Sequence, residues 1–373
     1  MTSDLHLNQH THFSDPEYVR LHLKNSGGVP LDITITLPED LSYDADISAI
    51  GELGKVVDKI KSLTIDAPYH EAWQKFVSGI GEGHAAPLLE RLVLTVRGDV
   101  NNLDNNGPFT TLSTAFTPSP KLIHLQLPAW PLPAQPPPQL STVTSLAFDT
   151  PFSGLDIPAI FPLIQAAPHL QDFTFKAVDM GAESDPDYSN ITSVPQLRSA
   201  NVTTPGFGLD LLGNFDAPLL TEVRLDGYRD GIPDAVWEED DWGVDLTQPA
   251  SKILSHLSAR SPGIRRLELK YVQFEQPKED FKRILTGQAL PALEELILER
   301  TNIPDAALIE SAGSNSSLKK LELRNSKYVS ASGLRAFLQG RSGADFALSL
   351  VGCPGISQED IQSLSKIVTV ESK

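Results

Sequence analysis

Apolar and polar positions recur along this chain in one short pattern, P-x-Φ-x-x-Φ-x-Φ, where Φ is apolar and most often leucine. It appears as PLLERLVL from Pro87, PKLIHLQL from Pro120, PHLQDFTF from Pro168 and PQLRSANV from Pro195. It returns as PLLTEVRL from Pro218, PGIRRLEL from Pro262 and PALEELIL from Pro291. Copies without the proline centre on Ile60/Leu63/Ile65, Val143/Leu146/Phe148 and Leu318/Leu321/Leu323. The last two apolar positions lie two residues apart, so they share one face of a strand while their neighbours point the other way. A proline just ahead of the strand ends the preceding helix and holds the chain extended, without removing a ladder hydrogen bond from the strand centre.

Taken as a ruler, the middle apolar residue falls at 63, 92, 125, 146, 173, 200, 223, 267, 296, 321 and 348. Most steps are 21 to 29 residues; two, of 33 and 44, require insertions. Helical stretches fill the intervals, among them PAIFPLIQAAP (158–168), SKILSHLSARS (251–261) and SGLRAFLQGRS (332–342). One strand plus one helix in that length is the arithmetic of a leucine-rich repeat. The pattern predicts an α/β leucine-rich-repeat solenoid, a horseshoe with a curved parallel β-sheet on the concave face and helices on the convex face. A single domain of about 11–12 irregular repeats is expected over 17–373, after a disordered tail over 1–16.

The two C-terminal copies, LELRNSKYVSASGLRAFL (321–338) and LSLVGCPGISQEDIQSLS (348–365), align without a gap at a period of 27. Leu321 matches Leu348, Leu323 matches Leu350 and Ser326 matches Cys353. The run LxLxxCxxIS resembles the cysteine-containing subclass of leucine-rich repeat, which implies that Cys353 is a core residue where the strand turns rather than a nucleophile.

Composition narrows the class. Forty per cent hydrophobic residues at a mean hydropathy of −0.15 describe a folded, water-soluble chain. No window approaches the run of about 18 apolar residues that a membrane helix needs, and the polar start MTSDLHLNQHTHFSD has no signal-peptide layout. A lone cysteine fits a reducing compartment, the cytoplasm or nucleus. A net charge of −18 argues against a nucleic-acid partner. The expected partner is another protein, with no membrane and no nucleic acid, and the chain is expected to be monomeric.

The segment EYVRLHLKNSGGVPLDITITLPED (17–40), with Leu31, Ile33, Ile35 and Leu37 alternating, resembles a segment common in fungal F-box/leucine-rich-repeat proteins. There an aliphatic helix ends in a Ser-Gly turn and leads into PL-x-hydrophobic-x-hydrophobic. The P-x-L-x-x-L-x-L units also look like the repeat region of that group, so the resemblance covers most of the chain. It brings no catalytic residue. An F-box occupies about 45 residues ahead of such a segment, whereas only 16 residues precede Glu17; LPEDLSYDADISAI (37–50) resembles an F-box opening only superficially. The F-box is read as absent.

Residues flanking the inward leucines fall on the concave face as rows. Stacking strands roughly 4.8 Å apart turns these rows into columns, one reading Glu222, Arg266, Glu295, Lys320 and another Asp226, Lys270, Glu299, Arg324. Alternation of sign at every step reads as a self-neutralising ladder rather than a charged binding surface. The N-terminal rows are mostly small or neutral, and there Arg91, His124, Gln126, Asp172, Lys176 and Asn201 are candidate partner contacts, against an ordinary solvated face. PAWPLPAQPPP (128–138) is a polyproline II ligand candidate or a stiff connector. The acidic insertion over 226–245 sets Trp237 and Trp242 beside Glu238, Glu239, Asp240 and Asp241, which suits a basic partner or a loop packed on the convex helices.

Chemistry is sparse. His6, His10 and His12 can chelate a metal, yet they sit in the expected tail; GIGEG (79–83) lacks the lysine and spacing of a phosphate loop. No catalytic, cofactor-binding or metal site is assigned. The expected function is a non-catalytic, intracellular protein–protein interaction scaffold without an F-box. Two alternatives are a substrate-recognition subunit of an SCF-type ubiquitin ligase with a degenerate or missing F-box, and an enzyme whose site is assembled across the solenoid.

Overall fold

Each apolar triplet of the recurring pattern ends in a strand in the computed structural model, which describes residues 3–7, 16–37, 48–97, 110–128, 132–150, 157–177, 191–204, 211–227, 250–314, 316–339, 341 and 346–372. The chain forms two compact units, Met1–Gly181 and Ala182–Lys373, where the sequence reading has one domain over 17–373. Each unit is an α/β leucine-rich-repeat array.

The first unit is a parallel sheet laid down in chain order: β1 (Ser3–Leu7), β2 (Leu31–Thr36), β3 (Ile60–Ala67), β4 (Arg91–Val96), β5 (His124–Pro128), β6 (Ser145–Thr150) and β7 (Asp172–Ala177). Leu63 pairs with Leu92, Leu92 with Leu125, Leu125 with Leu146, and Leu146 with Phe173. The ruler positions thus stack into one column, with all five side chains almost wholly buried. Burying a leucine or phenylalanine contributes about 1.5–3 kcal/mol, and the column repeats that gain at every rung.

Two rungs precede this column, with Leu5 opposite Ile33 and Ile33 opposite Leu63. The disordered tail expected over 1–16 is therefore corrected at Ser3–Leu7. Leu5 is buried, and β1 pairs the outer edge of β2, which would otherwise leave its backbone groups open. Residues 8–15 lie outside the described residues, as do His10 and His12, while His6 is exposed on β1.

Helices α1 (Pro16–Asn25), α2 (Ser48–Gly54), α3 (His70–Gly81) and α4 (Phe161–Gln165) complete the unit. In α3 the buried positions Trp73, Phe76, Val77 and Ile80 follow the spacing of one helical face. At its start His70 is only 1% exposed. The Trp73 indole N–H donates to His70 Nδ1 at 3.2 Å, and His70 Nε2 has no partner among the described residues. Burial pushes the His70 pKa down to about 4.

The second unit contains β8 (Thr192–Ser193), β9 (Ser199–Thr203), β10 (Phe215–Asp216), β11 (Glu222–Asp226), β12 (Arg266–Lys270), β13 (Glu295–Glu299), β14 (Lys320–Arg324), β15 (Ala347–Val351) and β16 (Thr369–Ser372). β8 and β10 pair with each other; the remaining strands form a parallel sheet in chain order. The ruler again sets the register, Ala200 to Val223 to Leu267 to Leu296 to Leu321 to Leu348. β16 adds a rung beyond the pattern, with Val370 opposite Leu348.

Helices α5 (Ala250–Arg260), α6 (Pro277–Leu285), α7 (Asp305–Glu310), α8 (Ala331–Gln339) and α9 (Gln358–Leu364) follow the strands, and α6 to α9 pack in sequence. At four successive strand exits the next residue is left-handed: Tyr271, Arg300, Asn325 and Gly352, with φ of 53°, 51°, 52° and 61°. That conformation aims the amides of Tyr271, Arg300 and Asn325 at the carbonyls of Glu299, Arg324 and Val351 on the next rung, 2.8 to 3.0 Å away. Gly352 closes the series because a Cβ there would lie 2.4 Å from Asn325 Oδ1.

Cys353 departs slightly from its expected place. It is half-buried, while its counterpart Ser326 is fully buried. Burial also pushes its thiol above the ordinary range, so it is protonated near neutral pH and is not an activated nucleophile.

Candidate functional site

Side chains that alternate with the buried column point away from the core, and the register sets them in three columns. In the first unit the first column runs Arg91, His124, Ser145, Asp172, and the second Val93, Gln126, Ala147, Thr174. The third places Asp149 beside Lys176. Arg91, His124, Gln126, Asp172 and Lys176 therefore share one face, with Arg91 and His124 direct neighbours. Arg91, Asp172 and Lys176 are exposed, and His124 and Gln126 are half-buried. Asn201 stands on β9 in the second unit, and its Oδ1 has no partner among the described residues. Trp237, Trp242 and the rest of the acidic insertion beyond Gly227 lie outside the described residues.

His124 Nδ1 is 2.9 Å from the Ser145 hydroxyl. Its Nε2 is buried without a partner among the described residues. Burial, reinforced by the Arg91 charge, lowers the pKa of the imidazole. A serine nucleophile needs a histidine whose second nitrogen is held by a carboxylate. Here the next group along the column on the histidine side is a guanidinium, and Asp172 lies beyond Ser145. The arrangement favours neutral imidazole and lacks the carboxylate that would orient it toward Ser145. Asp149 is also shifted, its pKa raised by burial against the opposing pull of Lys176 at 3.9 Å.

The Pro-rich run is anchored at its C-terminal end. Pro138 opens a 3-10 turn (Pro138–Thr142), and the Gln139 side-chain amide donates to the carbonyls of Leu112 at 3.0 Å and Ala115 at 2.6 Å. Residues 129–131 lie outside the described residues.

In the second unit four of the six neighbouring pairs in the two charged columns close as ion pairs among the described residues. Glu295 takes Arg266 at 3.4 Å on one side and Lys320 at 2.7 Å on the other. Asp226 meets Lys270 at 3.4 Å, and Glu299 meets Arg324 at 3.7 Å. The middle column, which sequence reasoning passed over, also seats two carboxylates deeply. Glu268 is held by Arg224 at 3.6 Å and Arg266 at 3.8 Å, and Glu322 by Arg324 at 2.7 Å and Lys320 at 3.2 Å. Between these two carboxylates in register lies Ile297, 1% exposed. The signal for this clasp is readable in hindsight, since both carboxylates have a cation two residues away on the same strand face.

Searches of protein families and of curated proteins find no match to this chain. One solved structure that is similar is a chain of the Rad7 and Elc1 complex in yeast. It shares 16% identity at a TM-score of 0.42, over 91% of this chain and 67% of that one. The repeat architecture rests on the register of the strands themselves.

No group of three or more His, Cys, Asp or Glu among the described residues is placed to hold a metal ion. Among the same residues no helix is long and apolar enough to cross a membrane. A cleft of about 440 Å³ beside Cys353 is bordered by Ile356, Gln358 and Ile361 and has no histidine or carboxylate in its lining.

Proposed function

We propose that this chain is a non-catalytic protein-interaction scaffold, acting as a monomer in the cytoplasm or nucleus, that holds another protein on the open face of its sheet. The observation that supports this most is the first column of the first unit. Arg91, His124, Ser145 and Asp172 are exposed or half-buried on four consecutive rungs, held in register by the leucine column beneath them. A rigid sheet loses little conformational freedom when it binds, and small polar groups cost less to desolvate than charges. The exposed Arg91 and Asp172 at either end of this column are the groups that a partner can reach for charge-assisted hydrogen bonds.

Proximity labelling of the full chain in its native cell tests this reading. The variant Arg91→Glu with Asp172→Lys reverses both exposed ends of the column without touching the core. It is expected to lower enrichment of the labelled partner about tenfold, the effect of roughly 1.4 kcal/mol, with an unchanged melting temperature. Enrichment indifferent to the substitutions would overturn the assignment of this face.

A further inference from the structure

The charged ladder of the second unit is near balance in sign but not in depth. In the eight ion pairs of this face among the described residues the cation is the more exposed partner. Arg224 and Arg266 have 47% and 44% of their side chains exposed, above Glu268 at 10%. Lys320 and Arg324 have 37% and 34%, above Glu322 at 11%. Lys270 has 24%, above Asp226 at 8%. Elsewhere in the chain the order is mixed, as in Arg20 with Glu17 and Lys278 with Glu279. The ladder is thus a floor of carboxylates under a layer of guanidinium and ammonium groups. Glu222 on β11 and Glu371 on β16, at the two rims of this face, are exposed carboxylates.

Two of these cations keep donors to spare. Arg224 and Arg266 touch Glu268 and Glu295 only as ion pairs at 3.4 to 3.8 Å, and neither donates a hydrogen bond to any described residue. A guanidinium offers five N–H groups in a fork that matches a carboxylate. Here the inner side of each fork rests on a fixed carboxylate and the outer side faces solvent.

We infer that the sheet face over β11 to β14 receives an acidic peptide segment of a partner protein, whose carboxylates take the outward donors of Arg224 and Arg266. This rests on the scaffold reading and adds the chemistry of the partner. The buried carboxylates orient the cations beforehand, so the partner does not have to order them. They also select the kind of polyanion. Cations set among carboxylates 2.7 to 3.8 Å away match separate side-chain carboxylates on a peptide. Both polyanions meet the floor carboxylates and the net charge of −18, but a nucleic-acid backbone, with a charge at every phosphate, meets more of that repulsion than a peptide whose carboxylates are spaced by neutral residues.

Fluorescence anisotropy with a labelled peptide of alternating Glu and Gly, titrated with the full chain, tests the inference. Its controls are the Lys–Gly counterpart and a single-stranded thymidine oligonucleotide. The Glu peptide is expected to bind, to weaken as salt rises, and to lose about tenfold in affinity in Arg224→Gln with Arg266→Gln. Should the double variant melt early, Arg224→Gln alone serves, because this side chain is the most exposed of the set and gives up one long ion pair. Absence of Glu-peptide binding, equal binding of the Lys peptide, tighter binding of the oligonucleotide, or indifference to these substitutions would each overturn it. Loss of labelling in the Arg91→Glu, Asp172→Lys variant alongside any of those results would leave the scaffold reading standing and remove only the acidic partner.

Discussion

Leu296→Asp is expected to abolish the cooperative melting of the second unit. Leu296 is fully buried and lies in register between Leu267 and Leu321, themselves 2% and 0% exposed. The substitution removes the contacts of a buried leucine and places a carboxylate between two buried leucines, at a combined cost of roughly 5 kcal/mol or more. That is comparable to the whole stability of a typical domain, about 5–15 kcal/mol. Because each rung of a repeat array is held mainly by its neighbours, β12, β13 and β14 should lose protection together. Circular dichroism melts with amide hydrogen exchange measure this. Leu219→Asp, at a side chain 43% exposed, is the control and should melt like the parent. A cooperatively melting Leu296→Asp variant would contradict the placement of the ruler column.

The second large effect is a loss of stability in mild acid, centred on His70. Its pKa is about 4 in the fold because burial disfavours the charged ring, against about 6.5 for an unfolded histidine. Between those values the unfolded chain binds the proton that the folded chain refuses, so stability rises with pH across this window. The contribution is complete above pH 6.5, falls as pH is lowered, and has been lost by pH 4. At about 1.4 kcal/mol per pKa unit the total is roughly 3 kcal/mol. Denaturant unfolding of the first unit, followed from pH 7 to pH 4, should show the decline. Carboxylates titrate near the acid end, so the diagnostic is the difference from His70→Gln, which should have a flatter profile. Parallel profiles for the two proteins would show that His70 is not held neutral.

The rungs that were legible in the sequence are those with a proline ahead of the strand and leucines at fixed spacing. Those features report a strand period of two and a repeat length, and the eleven ruler positions meet in register within each unit as they predict. The outer rungs were legible only in part. β2 was readable from the alternation of PLDITITL, although it lacks the L-x-x-L-x-L phrase. β1 has only the short SDLHL, and pairing with β2 rather than local pattern makes it a strand. β16 likewise has no phrase, and Val370 is placed by Leu348.

The site was legible in position and less so in depth. Strand alternation was enough to set Arg91, His124, Gln126, Asp172 and Lys176 on one face, and the alternating signs were enough to foresee the ladder. Sequence shows the sign of a side chain but not which member of an ion pair lies beneath the other. The floor of Glu268 and Glu322, and the burial of Ile297 between them, emerge only when neighbouring strands supply Arg224, Arg266, Lys320 and Arg324. The burial of His70 is set by its packing at the start of α3, for which its neighbours in sequence offer no signal.

The central claim is that the open sheet face, and not the helical side, holds a partner protein. Lysine cross-linking of the full chain in its native cell, read by mass spectrometry, tests this most directly because lysines mark both sides. Lys176 and Lys320 stand on the sheet face, whereas Lys252 and Lys278 are exposed on α5 and α6. The prediction is that links to a partner gather at Lys176 and Lys320 and are sparse at Lys252 and Lys278. Links gathered on the helices, with the sheet-face lysines silent, would contradict it.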